Sequence, residues 1–358
     1  MTNLLLKFLE NSDSERQWKL LNIFNNSSMD CASFFNSTIL IQMFNNAETN
    51  KGWERTFLSA AELINKWIND LKIEAEYSIY EATFFRLLQY ISKPFESLNI
   101  DVTVSALQTL DHIFQRREAI QYLKANFHYA LAVESMIGKD PKLCSSALVT
   151  IHTLLANLDE TIVNRILRET TYLHKIKNIL NTPIDADILL KKEIFLGLSN
   201  VAAGTTEHVD LLLNDPQLIA RTILYLKESP CLSSRKEIIW LLGNLSITKC
   251  GANYCIDQML TNPDLLSAIF DLAENNQLPA MCNGVLREFF ENILQCADSF
   301  VAQDDTTQYN PIAVKIFECG AIDKLPYLKS DRIMKYFGET FEAFLAQKRR
   351  QNTKRAVQ

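Results

Sequence analysis

Glu237, Trp240 and Asn244 are separated by three and then four residues, a spacing that brings all three to one stripe of a helix. Their types suit the capture of an extended, basic peptide. An asparagine amide supplies a donor group and an acceptor on a short stem, matching the N–H and C=O groups that an extended backbone leaves open. An indole face takes the aliphatic stem of a Lys or Arg, with a cation–π contribution of about 0.5–2 kcal/mol. A carboxylate then meets the cationic head. The alternative is packing, with Trp240 as a core or inter-repeat residue and with Asn200 and Asn244 on helix-end carbonyls. Glu193 and Glu237 would then belong to a solvated helix face, where glutamate is favourable.

A peptide-reading stripe is useful only if the chain repeats it, and the sequence is self-similar. Leu213-Asn-Asp-Pro-Gln-Leu-Ile-Ala-Arg and Leu260-Thr-Asn-Pro-Asp-Leu-Leu-Ser-Ala read alike, with Pro216 and Pro263 47 residues apart. Asp or Asn before a proline suits a helix N-cap followed by the first turn, so each proline opens the second helix of a repeat, ending near Lys227 or Glu274. A longer amphipathic helix is expected next, over Arg235 to Thr248 and Asn283 to Ala297, with an earlier copy over Leu189 to Ala203. A short helix such as Glu207 to Leu213 introduces the next unit. Asn200, Asn244 and Asn292 then mark one position at steps of 44 and 48 residues, near the armadillo and HEAT period. Upstream, Thr153 and His112 fall at the same position, at steps of 47 and 41. The rhythm continues through Tyr80 to Ile91 and Arg55 to Ile68.

Composition restricts the class. The 358 residues include 9 Gly and 9 Pro, too few turn formers for the many tight hairpins of an all-β fold this long. Hydrophobic residues make up 47%, but no run approaches the roughly 20 apolar residues of a membrane span, so a soluble chain is expected, without a membrane partner. The start, Met1 to Glu10, has a helical rhythm and not that of a signal peptide. The eight cysteines are scattered and are expected to be reduced core thiols of a cytoplasmic and nuclear protein. Cys250 and Cys255 lack the second Cys or His pair of a zinc site, so no metal or cofactor is expected. The net charge of −6 disfavours nucleic acid, which needs a basic face. A basic partner is easier to accommodate. With no phosphate loop, metal cluster or nucleophile motif, no enzyme is expected.

The C-terminal half resembles a known family. Arg235-Lys-Glu-Ile-Ile-Trp-Leu-Leu-Gly-Asn-Leu-Ser resembles the third helix of an importin-α armadillo repeat, Lys-Glu-Ala-x-Trp-x-x-x-Asn, at Lys236, Glu237, Trp240 and Asn244. Lys192-Glu-Ile-Phe-Leu-Gly-Leu-Ser-Asn-Val-Ala-Ala-Gly resembles the preceding repeat, with Leu196 in place of tryptophan. Phe290-Glu-Asn-Ile-Leu is similar to the ninth repeat. Ile316-Phe-Glu-Cys-Gly-Ala-Ile-Asp-Lys-Leu-Pro-Tyr-Leu is similar to the terminal Glu-Cys-Gly block. The resemblance spans roughly residues 188 to 345. It implies an all-α, right-handed superhelical solenoid of armadillo repeats. Residues 1–187 would form divergent armadillo or HEAT-like repeats, 188–346 importin-α-like repeats and 347–358 a basic tail, in one continuous solenoid.

The resemblance further implies an adapter for nuclear import whose concave groove binds basic nuclear localisation signal peptides. Glu193, Asn200, Glu237, Trp240 and Asn244 would form the smaller, more C-terminal of the family's two sites. Leu196, Glu288 and Asn292 would extend it. Leu196 keeps an aliphatic surface but no aromatic face, so its pocket is expected to be weaker.

The family pattern also fails in places. Val149 with Thr153, and Gln108 with His112, stand where Trp and Asn are expected, so the larger site is not preserved. His112 and His152 are read as packed or rim residues. Residues 1–50 hold only Lys7, Arg16 and Lys19, so the basic segment that recruits importin-β is not expected. Either importin-β is reached by a non-standard route, or the chain is an armadillo scaffold for a folded or non-basic partner. Asp304 to Gln308 is read as a polar linker before a terminal cap at Pro311 to Gln347. The tail cations Lys348, Arg349, Arg350, Lys354 and Arg355 either close a helix favourably or form a signal that competes for the groove.

Overall fold

The computed structural model describes residue 19 and residues 77–341, except 158, 230, 276, 302–308 and 339–340. The expected helix over Arg55 to Ile68, the linker at Asp304 to Gln308 and the basic tail lie outside the described residues. The chain divides into two compact units with the boundary between Lys175 and Ile176. Every regular element among the described residues is helical.

In the first unit, α1 (Tyr77–Ile91) and α2 (Ile100–Phe114) pack together, followed by α3 (Arg117–Ala125), α4 (His128–Ser135), α5 (Pro141–Ala156) and α6 (Glu160–Glu169). Caps set several starts. Asn99 accepts from the Val102 N–H, Asp140 from the N–H groups of Lys142 and Leu143, and Asp159 from that of Ile162. Each such cap contributes about 0.5–2 kcal/mol. The long helices α2 and α5 pack side by side, with Leu107, Leu110, Leu148 and Ile151 buried and the Thr150 hydroxyl donating to the Leu107 carbonyl at 3.3 Å. The boundary falls inside α7 (Tyr172–Leu180).

The second unit holds α8 (Ile188–Ala202), α9 (Thr206–Leu213), α10 (Pro216–Glu228), α11 (Leu232–Ile247), α12 (Lys249–Thr261), α13 (Pro263–Glu274) and α14 (Cys282–Val301). Two three-helix repeats are plain, α9–α10–α11 and α12–α13–α14, and the third helices α8, α11 and α14 pack in that order. Pro216 and Pro263 each open a second helix as expected. Asp215 and Asn262 hold the expected N-cap positions, but neither side chain makes a cap hydrogen bond; both carboxylate oxygens of Asp215 take the ammonium of Lys177, at 2.8 and 3.0 Å.

α11 was expected to be amphipathic, and it is buried around most of its circumference, at Glu237, Ile238, Ile239, Leu241, Leu242, Leu245 and Ser246. A third helix packed between two others and against its own repeat has little surface left for water. Close approach is part of this: a Cβ on Gly243 would stand 2.6 Å from Val285 Cγ1 on α14.

The terminal cap begins with α15 (Pro311–Glu318), started by Asn310 accepting from the N–H groups of Ile312 and Ala313. The Glu-Cys-Gly block is its terminator. Gly320 takes a left-handed φ of 68° just beyond the helix, where a residue without Cβ is favoured.

Candidate functional site

The expected stripe exists, and its members have different environments. On α11 the surface between the packed neighbours is narrow, and Trp240 and Asn244 lie on it. Trp240 is 37% exposed, so the indole is not sealed between repeats. Ile247, three residues beyond Asn244, is 70% exposed and continues the stripe. Nothing in its sequence context marks it, because an isoleucine in an apolar run reads as core.

Glu237 departs from its expected role as an open carboxylate. It is buried, and its Oε1 lies 3.1 Å from the ammonium of Lys236. Glu193 is placed likewise, 3.1 Å from Lys192, and is half-buried. Each acid of the repeated Lys-Glu pair is therefore held by the lysine before it. A cation-bearing ligand has to share these carboxylates.

The asparagines form a partial ladder. Asn244 Nδ2 donates to the Ser199 carbonyl oxygen at 3.0 Å and to its hydroxyl at 3.1 Å. One repeat on, Asn292 Nδ2 donates to the Ser246 hydroxyl at 3.2 Å. Both bonds join one third helix to the one before it. Each leaves the acceptor Oδ1 out of the tie. Asn200, half-buried on α8, makes no side-chain hydrogen bond among the described residues, and Leu196 is half-buried one turn earlier. Glu288 is exposed on α14, one turn before Asn292. The buried Ser199 and the Ser246 hydroxyl are thus part of the arrangement, and only the tertiary pairing identifies them.

In the first unit the same register holds with different side chains. Gln108 is exposed, and His112, Val149 and Thr153 are half-buried, so these positions do face outward. Thr153 donates to Asp111 and Asn157 Nδ2 to the Phe114 carbonyl at 2.9 Å, again tying consecutive long helices. His152 is a packed residue: it is buried, with Nε2 3.1 Å from the Tyr172 hydroxyl. Burial pushes it down to about 3.

The cysteines were expected in the core. Cys144, Cys255 and Cys282 are buried, whereas Cys231, Cys250, Cys296 and Cys319 are only half-buried. Cys231 and Cys250 sit at helix starts, Cys319 at a helix end and Cys296 on a partly open side of α14, where apolar sequence neighbours do not translate into burial. Among the described residues no group of three or more His, Cys, Asp or Glu is placed to hold a metal ion, and no helix is long and apolar enough to cross a membrane.

No protein-family description matches the chain, and no curated protein sequence does. Solved structures do. The chain is similar to an engineered protein with a TM-score of 0.69 and 16% identity, over 94% of this chain and 76% of that one. It is also similar to a designed armadillo repeat protein solved with the peptide (KR)4, with a TM-score of 0.56 and 15% identity over 71% of this chain and 99% of that one. Computationally designed armadillo repeat proteins for modular peptide recognition match with a TM-score of 0.55 and 17% identity, over 68% and 99%. At such identities the likeness carries the fold alone, and the fold is an all-α armadillo-repeat solenoid.

Proposed function

We propose that the chain is a peptide-binding adapter, similar to importin-α, whose third helices in the second unit hold an extended, basic localisation signal for nuclear protein import. The observation that carries this reading is the exposure of Trp240 on the same stripe as Asn244. Had the indole been sealed between repeats, the packing alternative would stand. Asn200, without a side-chain bond of its own, and the free-standing Oδ1 of Asn244 offer groups for a ligand backbone. A structural neighbour was solved with a Lys-Arg repeat peptide, which favours a basic ligand for this architecture. Cytoplasm and nucleus follow as the working compartments. Recruitment of importin-β belongs to this proposal only through a non-standard route.

A second reading is supported by the carboxylates. Because Lys192 and Lys236 already hold Glu193 and Glu237, the stripe also suits a scaffold whose partner is folded or non-basic. Titration with a fluorescent Lys/Arg-rich localisation peptide decides between them, run in parallel on a Trp240→Ala, Asn244→Ala double variant shown to be folded. Micromolar or tighter binding, lost in the variant and weakened by salt, is expected for the adapter. A folded parent that ignores the peptide leaves the scaffold.

A further inference from the structure

On the side of the second unit formed by second helices, a groove of about 540 Å³ lies between α10 and α13, within the range of ligand sites, about 300–1,000 Å³. Its apolar floor includes Leu224, Leu265 and Ala268, and its charged lining is Lys177, Arg221 and Lys227. The remaining polar lining is four amide side chains, and no acidic residue lines it among the described residues. In a chain of net charge −6, this is a local reversal of sign, which raises the concentration of anionic groups nearby.

Arg221 is built in. Its Nε donates to the Leu180 carbonyl at 3.1 Å, and its guanidinium carbon lies 5.7 Å from the centre of the Tyr225 ring. Anchored through Nε, the fork keeps both terminal nitrogens out of that bond, the pair that binds a carboxylate bidentately. Lys177 is already paired with both carboxylate oxygens of Asp215, at 2.8 and 3.0 Å, so Arg221 is the principal anchor.

We propose that this groove is a second docking site, taking an acidic, extended segment of a partner protein that carries an apolar side chain. Carboxylates meet Arg221 and the rim lysines, amides pair with the segment's backbone, and the apolar side chain covers the floor. The site uses helices other than those of the localisation-signal stripe, so the chain would hold ligands of opposite charge on separate surfaces.

The test is fluorescence anisotropy of a labelled (Glu-Asp-Leu)3 peptide with the full chain, beside a (Gly-Ser-Leu)3 peptide and a single-stranded oligonucleotide of equal charge. Binding of the acidic peptide alone is expected. It should weaken about tenfold or more in an Arg221→Gln, Lys227→Glu variant and remain unchanged in Trp240→Ala, Asn244→Ala. Hydrogen exchange on the unsubstituted chain serves if the groove variant does not fold: protection should fall on residues 216–228 and 258–268. No binding, equal binding of the oligonucleotide, or a footprint elsewhere overturns the proposal.

Discussion

The side-chain amide of Asn244 donates to both the carbonyl oxygen and the hydroxyl of Ser199, 45 residues earlier, so a residue whose type suits a ligand also ties two consecutive third helices. Ser199 is buried, and its carbonyl oxygen also accepts from the Ala203 N–H at 3.0 Å, so removing the amide takes away the tie between the helices without orphaning that carbonyl.

Asn244→Ala should therefore cost about 0.5–1.5 kcal/mol of stability, the net contribution of an intramolecular hydrogen bond. Asn200→Ala should cost less than about 0.5 kcal/mol, since alanine is the better helix former and no side-chain bond is lost. Urea unfolding of the two variants measures the contrast. Equal midpoints would show that the Ser199 tie contributes nothing.

Gly243 tests how closely α11 and α14 approach. The Cβ of Gly243→Ala would lie 2.6 Å from Val285 Cγ1, forcing a shift that costs about 1–3 kcal/mol against the propensity gain of alanine in a helix. Adding Val285→Ala should restore much of the loss, because the obstructing methyl is gone. A double variant no more stable than Gly243→Ala alone would place the strain elsewhere.

His152 gives the first unit an acid sensitivity. Its folded value, about 3 through burial, lies below the ordinary value of about 6.5, so the unfolded chain takes up the proton first as pH falls. The stability from burying it neutral is complete above about pH 6.5 and is lost as pH falls towards 3, by up to about 1.4 kcal/mol per unit. Its Nδ1 has no partner among the described residues, so the imidazolium, with both ring nitrogens protonated, would hold a buried N–H with no acceptor there. A His152→Phe variant should show a shallower decline of melting temperature between pH 6.5 and 4. An unchanged slope would assign the acid sensitivity to other groups.

Cys231 should be the most reactive of the described thiols. Burial alone would raise it, but hydrogen bonds from Ser233 and Ser234 at the start of α11 outweigh this and bring it down to about 7. Cys255 is pushed up to about 12 by burial. At pH 7.5, iodoacetamide should modify Cys231 well before Cys255, with a rate rising through a midpoint near pH 7. Peptide mapping of a time course reads this directly, and simultaneous labelling would contradict it.

The repeat period was legible because it is a local property. Pro216 and Pro263 mark helix starts through the fixed φ of proline, and apolar spacing marks helix faces. Gly320 marks a helix end that the Glu-Cys-Gly block already carried. Position on the stripe was legible too: Gln108, Trp240 and Asn244 face outward as their register requires. Partners were not. Whether Glu237 meets solvent, a ligand or Lys236 depends on rotamers and on how much room the neighbouring helices leave, and the same holds for Asn244 and the distant Ser199.

By itself, then, the sequence determined that this protein is a succession of helical repeats with Trp240, Asn200, Asn244 and Asn292 at equivalent or adjoining outward positions, because helix periodicity and caps act over a few residues. Only the tertiary structure decided which of those side chains are already engaged, and that a cationic groove lies between α10 and α13. The first depends on Asn244 meeting Ser199 and Asn292 meeting Ser246, the second on Arg221 meeting Leu180 and Lys177 meeting Asp215, groups far apart in sequence that the packing of one repeat on the next brings within hydrogen-bond distance.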